Sequence, residues 1–198
     1  MLERRLAAYI DTGKTDIDCN TDESIAKYSN KVVCLNSATA AEELNFRIGG
    51  IGEGDEVIVP AYTYTATSSA VIHCGAKVIF VDSQKDSTEM DYDKVAEAII
   101  EKTKAIVAVD LAGIVADYDR LYQVVEEKKA LFTAKTGDSL GARIQQAIGR
   151  ALVFSDCAHG LDASKNGKIT GEIADFTSFS FHAVNLLFPK GEKVAKIA

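Results

Sequence analysis

Short apolar runs alternate with amphipathic stretches along most of this chain, and this alternation limits the possible folds more than any other feature. Apolar runs bounded by turn residues predict buried strands, and apolar residues three and four positions apart predict helices. The predicted strands are Val32 to Leu35, Glu56 to Val59, Lys77 to Val81, Ala105 to Val109, Ala151 to Ser155 and Phe176 to Phe181. The predicted helices are Thr39 to Ile48, Thr65 to Cys74, Tyr92 to Ile100, Tyr118 to Lys129 and Leu140 to Ile148. Strands that alternate with helices favour an α/β fold with a mostly parallel sheet flanked by helices.

Turn residues separate the predicted elements. The glycine-rich segment Gly49 to Asp55 ends the first of these helices and leads into a strand, and the pair Asn166-Gly167 predicts a tight hairpin. The segment Asp11 to Asn30 is polar and only weakly periodic. We therefore predict a loop there.

Composition excludes several classes of protein. A length of 198 residues favours a single domain. The net charge of −7 and the pI near 5.0 argue against nucleic-acid binding, which needs a basic surface. The cysteines form no Cys-x-x-Cys pair, which is typical of reduced thiols in a cytoplasmic protein. The first ten residues lack the pattern of a secretory signal, and no apolar stretch reaches membrane-spanning length, so we expect a cytoplasmic location and no membrane partner.

Polar side chains stand where two of the predicted strands end. Ser37, Ala38 and Thr39 lie between a strand and a helix, where unpaired amides and hydroxyl groups can hold a phosphate. A simple N-cap role for Ser37 fits this pattern equally well. Asp156 follows the apolar run that ends at Ser155, and a buried carboxylate is costly without a partner.

Competing chemistries lack their usual patterns. The sequence contains no Gly-x-Ser-x-Gly segment for a serine nucleophile. The glycines from Gly49 to Gly54 follow a helix and precede a strand, which is the reverse of a dinucleotide-binding loop. We predict no metal site, because no cluster of metal-binding residues is present.

Four motifs in order resemble the DegT/DnrJ/EryC1/StrS family of pyridoxal-phosphate (PLP) dependent sugar aminotransferases. These motifs are Asn36 to Ala40, Pro60 to Thr67, Ala151 to His159 and Asp175 to Leu186. The resemblance implies the large domain of the aspartate-aminotransferase-like fold (fold type I) and PLP as the cofactor. It covers only the front part of that domain, so we expect a truncated form. The expected divisions are an N-terminal helix and loop at 1–30, a PLP-binding large domain at 31–187 and a tail at 188–198.

The resemblance also implies which residues contact the cofactor. They are Ser37, Ala38, Thr39 and Ser180 at the phosphate, Asp156 at the ring nitrogen, His159 at the ring hydroxyl and Tyr64 on the ring face. Asp156 would keep the ring nitrogen protonated, which makes the ring an electron sink.

One expected residue is missing from the written sequence. The family's Schiff-base lysine would stand between Val184 and Asn185, and the flanking residues match without it. The chain is a degenerate relative, the product of a damaged gene, or a sequence from which a modified lysine was omitted. Some relatives carry histidine at the lysine position and dehydrate sugars, but His182 lies three positions before the matching Asn185.

By resemblance, the complete protein would be a homodimer that transfers an amino group from an amino acid, commonly glutamate, to a keto group on a nucleotide-linked sugar. The written chain, without the lysine, should not catalyse this transfer. Three alternatives stay open: a module that binds PLP without turnover, a vestigial structural fragment, and a relative of the PLP-dependent sugar dehydratases.

Overall fold

The computed structural model describes residues 1–29 and 31–182. Its strands are β1 (Glu56–Pro60), β2 (Lys77–Val81), β3 (Thr103–Val109), β4 (Leu152–Cys157), β5 (Ser164–Lys165), β6 (Lys168–Ile169) and β7 (Phe176–Phe179). Five of these strands form one sheet in the order β2-β1-β3-β4-β7, and all of its pairings are parallel. The other two strands, β5 and β6, form a small antiparallel hairpin.

The helices are α1 (Leu2–Thr12), α2 (Asp22–Tyr28), α3 (Ala38–Ile48), α4 (Thr65–His73), α5 (Tyr92–Ala98), α6 (Tyr118–Glu127) and α7 (Leu140–Ile148). Side-chain oxygens cap several of them at the N-terminus and accept hydrogen bonds from backbone amides of the first turn. These capping residues are Thr21, Ser37, Asp91, Asp117 and Ser139.

The inner strands are apolar on both faces because helices cover both sides of the sheet with apolar side chains. Val57, Ile58 and Val59 in β1 are all fully buried. Ile58 belongs to the core cluster that contains Leu121 of α6. Val57 and Val59 belong to the opposite cluster, which contains Phe46 of α3. Burial on both faces produces the continuous apolar runs from which these strands were predicted.

The predicted α/β fold with a parallel sheet is confirmed. Five predicted strands and all five predicted helices are present, with bounds that agree to about two residues. The predicted hairpin is also present, and both of its turn residues, Asn166 and Gly167, have positive φ values of 54° and 79°. This backbone geometry matches the right-handed twist of a two-stranded hairpin.

Two sequence predictions are wrong. Val32 to Leu35 form no strand, and the side chains of Val33 and Leu35 are 60% and 44% exposed. A strand needs a hydrogen-bonded neighbour, and this segment pairs with no strand among the described residues. The segment Asp11 to Asn30 is not all loop, because it contains α2, whose first turn is capped by Thr21.

The strand order positions the site. The chain runs from β1 outward to β2 and then returns to the other side of β1 to form β3. In parallel α/β sheets, ligands bind beyond the carboxyl ends of the strands at such a reversal. The segments that follow β1, β3, β4 and β7 all begin at this edge.

Candidate functional site

All seven residues predicted to contact the cofactor line one cavity of about 1120 Å³. They come from the start of α3, the start of α4, the end of β4 and the segment after β7. The fold therefore joins motifs that are more than a hundred residues apart in the sequence. These residues are Ser37, Ala38, Thr39, Tyr64, Asp156, His159 and Ser180.

The start of α3 supplies the anion-binding part of the cavity. The Ser37 side chain caps the helix, because its Oγ accepts a hydrogen bond from the Ala40 amide at 3.1 Å. The Ala41 amide donates to the Ser37 carbonyl oxygen. The amides of Ala38 and Thr39 belong to the first turn, which has no intrahelical acceptors for them. The helix dipole adds partial positive charge at the same place. Ser37 is thus an N-cap residue, and this role is compatible with phosphate binding by the free amides of the same turn.

Asp156 projects a buried carboxylate into the cavity from the end of β4. Its side chain is 6% exposed. The Thr67 hydroxyl donates to Oδ2 at 2.7 Å, and the Ala158 amide donates to Oδ1 at 3.2 Å. The Thr67 oxygen lies 2.8 Å from the Thr63 hydroxyl, which must be the donor of that pair because the Thr67 proton points at Asp156. Thr67 and Ala158 are both uncharged donors, and a cationic N–H group is a partner that would compensate the buried charge of the carboxylate.

Glu42 lies in the wall of the same cavity, on α3. It is 5% exposed, and neither carboxyl oxygen has a hydrogen-bond donor within reach among the described residues. Burial, the charge of Asp156 and contact with that carboxylate raise the pKa of Glu42 from its ordinary 4.5 to about 10. Glu42 is therefore a neutral carboxylic acid at neutral pH.

Asp110 and His159 border the cavity between β3 and β4. Asp110 is 1% exposed and accepts hydrogen bonds from the Ala116 amide and from the hydroxyls of Tyr118 and Ser155. Its burial raises the pKa of the carboxyl group. His159 Nδ1 lies 3.4 Å from the amide nitrogen of Ala112. These contacts fix the two loops next to Asp156.

The side chain of Tyr64 is largely exposed to solvent, whereas that of Ser180 is buried. Tyr64, just before α4, is 77% exposed at the mouth of the cavity. Ser180 is 6% exposed, and its Oγ accepts a hydrogen bond from the His182 amide at 3.2 Å. The expected lysine position between Val184 and Asn185 lies outside the described residues, as does the tail at 188–198.

Sequence reasoning missed Glu42, Thr67 and Asp110. One signal was available for Glu42, because it lies four residues before the fully buried Phe46 and therefore on the buried face of α3. Asp110 had the same signal as Asp156, because it directly follows the predicted strand Ala105 to Val109, whereas Thr67 gave no comparable signal. Their roles depend on contacts with β4, which is distant in the sequence.

The cavity fits PLP. The helix terminus of α3 and the Ser180 hydroxyl suit a phosphate, and the buried carboxylate of Asp156 suits a protonated ring nitrogen. The open side next to Tyr64 leaves access for a ring and its substituents.

Comparison with solved structures gives the same family. The sugar aminotransferase candidate Spr1654 from Streptococcus pneumoniae is 51% identical, with a TM-score of 0.78, over 92% of this chain and 40% of that chain. Solved structures of Spr1654 include a PLP form and a PMP form. PLP, predicted from the sequence, is thus the cofactor of this family.

Curated relatives agree with the structural comparison. GDP-perosamine synthase from Caulobacter vibrioides is 32% identical over 81% of this chain and 37% of its own length. UDP-4-amino-4-deoxy-L-arabinose–oxoglutarate aminotransferase from Shewanella sediminis is 33% identical over 81% of this chain and 41% of its own length. This chain thus spans about two fifths of the length of these relatives.

A profile of the DegT/DnrJ/EryC1/StrS aminotransferase family matches residues 21–155 and 149–192. Together these ranges include all seven predicted site residues and all five strands of the parallel sheet. The match, the fold and the relatives agree, and the chain belongs to the DegT/DnrJ/EryC1/StrS aminotransferase family.

Proposed function

We propose that this chain is the cofactor-binding part of a PLP-dependent aminotransferase that acts on a nucleotide-linked keto sugar. The observation that carries the proposal is the meeting of four separate motifs in one cavity around the buried carboxylate of Asp156. The names of the relatives support the substrate class, because they include a GDP-sugar enzyme and a UDP-sugar enzyme. The second of these names also includes oxoglutarate, the keto acid that corresponds to glutamate as amino donor.

Each end of the cavity has a separate binding task. At one end, the amides of Ala38 and Thr39, with the hydroxyls of Thr39 and Ser180, would hold the phosphate. At the other end, Asp156 would hold the ring nitrogen in its protonated form, while Tyr64 covers the ring face and His159 contacts the ring hydroxyl. When bound, the cofactor supplies an electron sink for bond cleavage at the amino-bearing carbon.

The written sequence favours binding without turnover as a second candidate function. Asn185 occupies the position of the expected lysine. Its amide nitrogen cannot act as a nucleophile or carry a proton, because its lone pair is delocalised. The phosphate and ring contacts do not involve this position. The chain as written would therefore retain PLP by non-covalent contacts alone.

Two further proposals concern the cellular location and the oligomeric state of the protein. We place it in the cytoplasm, since Cys19, Cys34, Cys74 and Cys157 are all free thiols. We also propose that it is a homodimer. Among the described residues, no helix has the length and apolar character needed to cross a membrane.

The test of the proposed function is PLP retention by variants of Asp156. Asp156→Ala removes the carboxylate, and Asp156→Asn keeps its shape but removes its charge. We expect each to weaken PLP binding by about tenfold or more, because a charge-assisted hydrogen bond contributes about 1.5 to 3 kcal/mol. Equilibrium dialysis with absorption spectroscopy measures the dissociation constant.

Asp138→Asn is the matched control, because Asp138 is exposed in the loop before α7 and does not line the cavity. It should bind PLP as the parent chain does. If both Asp156 variants also hold PLP as tightly as the parent, the proposed site is wrong.

A further inference from the structure

The carboxyl group of Glu42 has no explanation in the PLP contacts described above. It is buried in the cavity wall, and no donor reaches either of its oxygens within residues 1–29 and 31–182. A buried carboxyl group without partners is destabilising, and a helix position that faces the core would ordinarily be apolar. The burial of Glu42 next to Asp156 therefore requires an interaction that offsets its free-energy cost.

Asp156 is the charged group that acts on Glu42. Glu43, the next residue on α3, turns outward and pairs with Arg47 and with His73 of α4. On the side of β7, Asp175 pairs with Arg150. The remaining titratable side chains on these elements or around the cavity are Lys31, Cys34, Tyr64, Asp110, Arg143, Cys157, His159 and His182.

Two carboxyl groups in one buried site cannot both be ionised without strong repulsion, so one of them keeps a proton. A protonated carboxyl group has an O–H donor, and a neighbouring carboxylate is an acceptor for it. Asp156 already has Thr67 and Ala158 as donors. A carboxylate has about four acceptor positions. A third donor leaves one position for a ligand.

We propose that Glu42 and Asp156 form a carboxylic acid–carboxylate pair that shares one proton. In this pair Glu42 is a positioning residue: its O–H group donates to Asp156, which leaves one acceptor position for the ring nitrogen of the cofactor and reduces the negative charge that Asp156 presents to it. The pair carries a single negative charge, which matches the single positive charge of a protonated ring. The part of this inference that concerns the ring rests on the proposed function.

The shared proton is testable without any cofactor. Infrared spectroscopy of the full chain at neutral pH should show the C=O band of a protonated carboxylic acid. Glu42→Gln should remove this component, because glutamine has no carboxylic acid group. Glu43→Gln is the matched control on the same helix and should leave the band unchanged. A parent spectrum identical to that of Glu42→Gln in this region would overturn the pair.

The effect on the ring is tested by a double-mutant cycle on PLP affinity. Glu42→Leu removes the donor to Asp156 at similar volume, so the carboxylate binds the ring nitrogen more strongly. We expect the dissociation constant of PLP to fall by a factor of about two to ten, in the range typical of residues in contact. In the Asp156→Asn background the same substitution should change affinity by less than about twofold, because there is no carboxylate charge to weaken.

The outcomes separate the two proposals. Equal changes in both backgrounds, or no change in the parent background, would contradict the positioning role of Glu42. A parent chain that binds no PLP contradicts the proposed function and the ring part of this inference together. The infrared result then still decides whether the carboxyl pair exists. Far-ultraviolet circular dichroism on every variant confirms that the compared chains are folded.

Discussion

At the scale of single residues, Glu42 connects the chemistry of the site with the stability of the fold. In the unfolded chain this carboxyl group ionises near its ordinary pKa of 4.5, whereas in the folded chain its pKa is about 10. Between these two values the folded state holds a proton that the unfolded state has released. Folding stability contributed by this residue is therefore complete at acidic pH and decreases as the pH rises.

We predict that Glu42→Gln flattens this pH dependence. The free energy of unfolding of the parent chain should fall from about pH 5 to about pH 9, by at most about 1.4 kcal/mol per pH unit from this group. Glu42→Gln has no such proton, so its advantage over the parent should grow with pH. Urea unfolding at a series of pH values measures both slopes. Glu43→Gln should follow the parent slope, and an identical slope for Glu42→Gln would show that Glu42 ionises normally.

At the scale of elements, α7 is held against the turn after α3 by a close backbone approach. A Cβ atom on Gly141 would lie 2.4 Å from the Cα of Gly50 and 2.6 Å from its nitrogen. The buried side chain of Gln145 links the same parts, because its amide donates to the Gly49 carbonyl oxygen at 2.8 Å. This contact fixes the position of α7 relative to α3, which carries the proposed phosphate seat.

We predict that Gly141→Ala destabilises the chain, although alanine is ordinarily the better helix former by about 1 kcal/mol. The new methyl group meets backbone atoms, which cannot move aside as a flexible side chain can. The net loss should be about 1 to 3 kcal/mol, as for other overpacked sites, and chemical denaturation measures it. Gly52→Ala is the control, because its φ is not positive and its nearest contacts are 3.7 Å away. A Gly141→Ala chain as stable as the parent would show that α7 is not held at this point.

The sequence predicted those elements whose burial is a property of the element itself. β1 is buried at every position, so its apolar run indicated a strand without reference to its neighbours. Val32 to Leu35 have a similar apolar pattern, but a strand also requires a pairing partner, which sequence periodicity does not report. The short helix α2 depends on its cap at Thr21 and was hidden in a polar segment.

The residues of the candidate site also fall into two groups, those that the local sequence predicts and those that depend on the fold. Asp156 and Ser37 stand at element ends, where their chemistry can be inferred from the local sequence. Thr67 donates to a carboxylate that is 89 residues away in the sequence, so only the fold shows that interaction. The unusual charge state of Glu42 likewise arises from Asp156, which lies on a different element.

At the scale of the whole molecule, apolar side chains remain exposed around the mouth of the cavity. Val33, Leu35, Tyr64 and Phe181 are 60%, 44%, 77% and 44% exposed, and all four line the cavity. None of the four lies in a strand or a helix, although Tyr64 is the N-cap residue of α4. Exposed apolar groups that cluster in this way typically mark a protein interface or a ligand site.

We predict that the chain is at least dimeric in solution and that this apolar rim is part of the interface. Sedimentation velocity at micromolar concentration should give a mass of at least two chains. Leu35→Asp places a charge that is costly to bury in the rim, so it should shift the equilibrium toward the monomer. Ile72→Asp is the matched control, because Ile72 is 62% exposed on α4 but does not line the cavity. A parent chain that sediments as a monomer contradicts the dimer, whereas equal dissociation by both variants moves the interface away from the cavity. Dimerisation through the rim would place a second chain at the open side of the proposed PLP site, where the substrate of the proposed reaction would enter.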